Sequence, residues 1–84
     1  MSTLGDSVTV QIRLTCIDAP QCKVFFEPEG AEVVLSAGDW FNVEISGPPP
    51  AITEVSFVPD GIIVTAWRGA DTRVRNRAGK DLDV

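Results

Sequence analysis

An alternation near the start of the chain constrains its fold more than any other feature. Val8, Val10, Ile12, Leu14 and Cys16 occupy one parity, while Thr9, Gln11, Arg13 and Thr15 occupy the other. A period of two places every apolar side chain on one side of a strand and every polar one on the other, whereas a helical repeat would scatter them around an axis. Later apolar runs are short and bounded by Gly, Pro, Asp and Asn. They predict further strands over roughly 23–27, 32–36, 40–46, 53–58, 62–67, 72–76 and 80–84. About seven to eight short strands with turn signals between them point to an all-β fold, a small antiparallel sandwich or barrel with hairpin connections. The 84 residues are read as one domain, 1–84, with 1–6 as a flexible N-terminus.

Three turns carry a register. Val58-Pro59-Asp60-Gly61-Ile62 reads as a three-residue loop, with Pro at the position wanting φ near −65° and Gly at the one wanting positive φ. That register places Val55, Phe57, Ile63 and Trp67 on one face; a two-residue Asp60-Gly61 loop moves Trp67 to the other. Leu35-Ser36-Ala37-Gly38-Asp39 reads as a tight reversal that pairs Val33 with Phe41 and Val34 with Trp40. For the last turn, charge decides. A three-residue Arg77-Ala78-Gly79 loop sets Arg75 opposite Asp81, Arg73 opposite Asp83 and Val74 opposite Leu82, whereas a two-residue loop sets Arg77 against Lys80. Opposite charges across a ladder are favourable, so the three-residue loop is expected. Gly47-Pro48-Pro49-Pro50-Ala51 reads as a stiff crossover between strands or sheets.

Composition removes several function classes. The chain has no His, and it has no Tyr, so imidazole bases, His metal ligands and phenolic acids are all absent. No nucleophile–base pair, phosphate-cradling glycine loop or nucleotide fingerprint is present. Glu27, Glu29 and Glu32 surround a turn without the ligand spacing of a calcium loop, and are read as solvated acids. The expectation is a non-enzyme with no cofactor and no metal site. Cys16 and Cys22 are too few for a zinc centre. They form a disulfide if the intervening segment is a hairpin, but the preferred reading is a pair of buried small apolar residues. The first residues lack a basic region and an apolar stretch, so a cytoplasmic location is expected.

Charge is uneven. Residues 1–67 hold nine acids against Arg13 and Lys23, a net of −7, and residues 68–84 hold five bases against three acids, a net of +2, which together make −5. The acidic body disfavours nucleic acid and anionic membranes as partners. Arg68, Arg73, Arg75 and Arg77 form a candidate contact for an anion or acidic partner, with cross-strand pairing to Asp81 and Asp83 as the competing role.

Neighbouring large apolar residues point to opposite faces of a strand. Placing Val24, Phe26, Val33, Leu35, Phe41, Val43 and Ile45 in the core leaves Phe25, Val34 and Trp40 outside it. These three are the candidate binding residues of an exposed apolar patch. The expected function is therefore a non-enzymatic small β domain mediating protein–protein interaction or self-association, open to homo-oligomerisation through the same patch. The alternatives are an acidic inhibitor of the immunity or antitoxin type, blocking a basic nucleic-acid-binding partner, and a small-ligand-binding protein or weak hydrolase.

Overall fold

A computed structural model describes residues 6–84. Residues 1–5, most of the segment expected to be flexible, lie outside the described residues. Eight strands follow in order: β1 (Val8–Thr15), β2 (Gln21–Glu27), β3 (Ala31–Ser36), β4 (Trp40–Gly47), β5 (Glu54–Val58), β6 (Gly61–Thr65), β7 (Asp71–Asn76) and β8 (Asp81–Leu82). They form two four-stranded sheets, one ordered β1-β4-β7-β8 and the other β3-β2-β6-β5. No strand pairing joins the two sheets among the described residues, so the fold is a sandwich and not a closed barrel.

The alternation of β1 is realised as expected. Val8, Val10, Ile12 and Leu14 stand opposite Gly47, Ile45, Val43 and Phe41 of β4, on the side that faces the other sheet. Between the sheets, Phe26, Phe41, Ile45, Val24, Val43, Val64 and Val74 are almost fully buried. Phe26 and Phe41 meet with ring centroids 6.0 Å apart in a tilted pair, bringing β2 and β4 together across the core. Every residue assigned to the core from sequence is buried except Val33, which is half-buried against it.

Hairpins join β2 to β3, β5 to β6 and β7 to β8, while the other connections pass from one sheet to the other. One such passage corrects an expectation. The Ser36–Asp39 reversal is present, with the Asp39 N–H donating to the Ser36 carbonyl at 3.0 Å. It does not pair its flanking strands: Val33 stands opposite Val24 and Val34 opposite Lys23, while Phe41 stands opposite Leu14 and Trp40 opposite Thr15. The reason lies at the end of β1. Cys16 donates to the Asp39 carbonyl at 3.0 Å and accepts from the Gly38 N–H at 2.8 Å, tying the turn across the end of the sandwich.

Cys16 and Cys22 are joined by a disulfide, with Cα atoms 5.7 Å apart, which corrects the reading of them as unbonded apolar residues. They do not face each other across a hairpin either. Cys16 follows β1 in one sheet and Cys22 lies in β2 of the other, so the bond staples the two sheets. One pairing is parallel: β2 runs alongside β6, with Val24 opposite Ile62 and Phe26 opposite Val64. Gly61 opens β6 where a Cβ would collide with the Lys23 carbonyl oxygen, so close approach of backbones requires glycine there.

The β5–β6 register also differs from expectation. Val58 stands opposite Gly61, Phe57 opposite Ile62 and Val55 opposite Val64, leaving a two-residue turn at Pro59-Asp60. Val55 and Phe57 therefore lie on the side of Ile62 and Val64, facing the other sheet, and not with Ile63. The β7–β8 hairpin has the expected three-residue loop, with Arg75 opposite Asp81 and Val74 opposite Leu82, but the expected Arg73–Asp83 pair does not form because β8 ends at Leu82. Asn76 fixes it: its Oδ1 accepts from the Ala78 and Lys80 N–H groups at 3.0 and 2.9 Å.

Candidate interaction surface

The structure divides the three candidate binding residues between opposite sides of the molecule. Phe25 and Val34 lie on the outer face of the β3-β2-β6-β5 sheet, where Phe25 stands opposite Glu32 and Val34 opposite Lys23. Val34 is exposed, and Phe25 is half-buried next to Ile63 on the neighbouring strand. Trp40 lies on the outer face of the other sheet. Its ring carries the Arg13 guanidinium, whose Cζ sits 3.8 Å from the ring centroid. Arg13 Nε also donates to Asn42 Oδ1 at 2.8 Å, which holds the guanidinium in place. One continuous patch of Phe25, Val34 and Trp40 is therefore not formed.

The arginines are divided as well. Arg73 and Arg75 project from β7 onto the outer face shared with Trp40, and with Gln11, Asn42 and Glu44 they line a shallow cavity of about 200 Å³. Arg75 Nε is paired with Asp81 at 3.1 Å. Arg77 lies in the β7–β8 turn, and Arg68 lies beside the proline crossover at another end of the molecule. Arg13, which sequence reasoning left out of this group, joins Arg73 and Arg75 on the face. Glu44, Asp71 and Asp81 share it. Charge on this face is therefore balanced.

The proline crossover leads from β4 in one sheet to β5 in the other, the stiff connection expected. Trp67 lies beyond the end of β6 and packs against it, with Nε1 donating to the Pro48 carbonyl at 2.7 Å. Trp67 belongs to no strand, and it is half-buried and packs against the core.

The two long sides of the sandwich differ. On the side of the edge strands β3 and β8, Ala31, Val33, Leu82 and Val84 are partly buried and pack against the core. On the other lie β1 and β5, the edge strands of their sheets. Leu14 of β1 lines a cavity of about 370 Å³ together with Val58 and Ile62, and its walls also take in Cys22, Val24 and Leu35. This side is open. Phe57 is 85% exposed, Val55 39% and Val8 37%, and Ile52, just before β5, is 70% exposed.

Val8, Val55 and Phe57 all point toward the interior side of their sheets, so this surface is the uncovered margin of the core. Sequence reasoning missed it. The signal was present in the Val55-x-Phe57 alternation beside Glu54 and Ser56, but a one-residue difference in register groups those side chains with Ile63 and Trp67 instead of with Ile62 and Val64. Comparison with protein-family models, with curated proteins and with solved structures finds no match to this chain.

Proposed function

We propose that the chain is a non-enzymatic interaction module that binds another polypeptide, or itself, through the open side of its sandwich. The exposed phenyl ring of Phe57, flanked by Ile52, Val55 and Val8, is the observation that supports this reading. A large apolar side chain on an unpaired edge strand is costly to leave in water and offers both an anchor and a row of free backbone groups. Phe25 and Val34, on the outer face of the same sheet, supply a smaller second contact area.

Nucleic acid is not the proposed partner, because Arg13, Arg73 and Arg75 share their face with as many acids and Trp40 is capped by Arg13. Location is a separate question. Disulfides persist in oxidising compartments and are rare in the cytosol, so the Cys16–Cys22 bond weighs against the cytoplasmic expectation.

The test is a comparison of proteins retained by immobilised wild type and by Phe57→Ser, at low and at high salt. Loss of the retained proteins in the variant, with retention by wild type unchanged between the two salt conditions, is the expected result. Retention that collapses at high salt and ignores Phe57 would favour the acidic inhibitor instead.

A further inference from the structure

The geometry of β5 points to a specific occupant for the open side: we propose that it is a second copy of this chain, added as an antiparallel β5–β5 pair about a two-fold axis at Ser56. This inference rests on the interaction reading above and narrows it to one partner and one register.

The hydrogen-bonding phase of β5 selects the register. Val58 and Gly61 flank a two-residue turn, which makes them a hydrogen-bonded pair. Bonded and non-bonded pairs alternate along an antiparallel ladder, so Ser56–Ile63 and Glu54–Thr65 are bonded pairs as well. The N–H and C=O groups of Val55 and Phe57 then point away from β6, toward the unpaired edge. A two-fold axis at Ser56 sets Val55 opposite Phe57 of the second copy, and Phe57 opposite its Val55. The outward groups of one strand meet the outward groups of the other, and all find partners.

The side chains agree with that register. Val55 and Phe57 share the interior side of the sheet, so each phenyl ring lies beside a β-branched side chain of the other copy, a favourable cross-strand pair. Charge also agrees. Glu54 is the only charged residue of β5, and the axis places it opposite Val58. The two Glu54 positions are displaced by four residues along the strands, about 14 Å, which keeps these like charges apart in a chain whose net charge is −5.

The test uses the full chain. Both native cysteines are bonded, so an introduced thiol is the only free one. Ser56→Cys brings two thiols together at the axis in a non-hydrogen-bonded pair, where side chains are closest. Glu54→Cys keeps them far apart. Mild oxidation should convert Ser56→Cys to a covalent dimer and leave Glu54→Cys uncrosslinked, with far-UV circular dichroism confirming that both are folded. Sedimentation should show concentration-dependent dimers for wild type, with the dissociation constant raised about thirtyfold or more in Phe57→Ser. This sedimentation comparison stands even if a cysteine variant fails to fold.

A wild type that stays monomeric at all concentrations, or crosslinking as fast through Glu54→Cys as through Ser56→Cys, overturns the proposal. A monomeric wild type that still retains other proteins through Phe57 overturns the second copy alone. Loss of both behaviours overturns the interaction reading with it.

Discussion

Phe57 stands directly across the β5–β6 ladder from Ile62 on the same side of the sheet, but Ile62 packs against the core while Phe57 projects into solvent. The difference comes from position within the sandwich: β6 is an inner strand of its sheet and β5 is the edge. Truncating Phe57 in the monomer should therefore cost little. Phe57→Ala is expected to shift stability by no more than about 0.5 kcal/mol, whereas Phe26→Ala should cost about 3–5 kcal/mol. Urea unfolding of both variants at low protein concentration checks this.

Trp40 and Arg13 behave as a surface pair on the face remote from Phe25 and Val34. Trp40→Ala removes a cation–π contact worth about 0.5–1 kcal/mol at an exposed site, and it should leave self-association unchanged. A sedimentation profile altered by this substitution would move the interaction surface to the other sheet.

The disulfide should contribute through the unfolded chain. Its sequence separation of 6 corresponds to about 2.4 kcal/mol in the loop-entropy treatment. Replacing both Cys16 and Cys22 with Ala should lower the unfolding free energy by about that amount, and adding reductant to the wild type should have a similar effect. Denaturant titration of the two forms measures the difference.

Gly61→Ala forces a methyl group against the Lys23 carbonyl oxygen. The parallel β2–β6 pairing must shift to admit it, at a cost of about 1–3 kcal/mol. Hydrogen exchange should show lost protection in β2 and β6 before any change in β7.

Arg75 and Asp81 face each other across the last hairpin with both side chains about half exposed. Asp81→Asn should cost about 0.2–1 kcal/mol, and the loss should fade as salt is added. Asp83→Asn should have no such effect, because β8 ends at Leu82 and no Arg73–Asp83 pair extends the ladder. Thermal melts at low and high ionic strength distinguish the two.

The parts of this architecture that were legible in the sequence are those set by near neighbours. The alternation of β1, the strand positions, the burial of Phe26, Phe41 and Ile45, and the charge-selected register of β7 and β8 all depend on local pattern. The rest depends on which strand lies next to which. Nothing near Ser36 and Gly38 states that the chain changes sheets there, because the anchor is Cys16, far back in the sequence. The disulfide was misjudged for the same reason, since its two ends lie in different sheets. At Pro59 a single residue of register decides whether Phe57 groups with Ile63 or with Ile62, and with it the candidate surface.

The parallel pairing of β2 with β6 has a consequence for how the polypeptide assembles during synthesis. Val24 meets Ile62, so the middle of one sheet cannot be completed until nearly three quarters of the chain has emerged. Until then the β2–β3 ribbon has an unoccupied flank, and no hairpin can bring its neighbour to it early. Non-local pairings of this kind slow folding and lengthen exposure to wrong partners. Nascent chains stopped before Gly61 should therefore be protease-sensitive and prone to clumping, and chains extended past Leu82, with both sheets complete, should not.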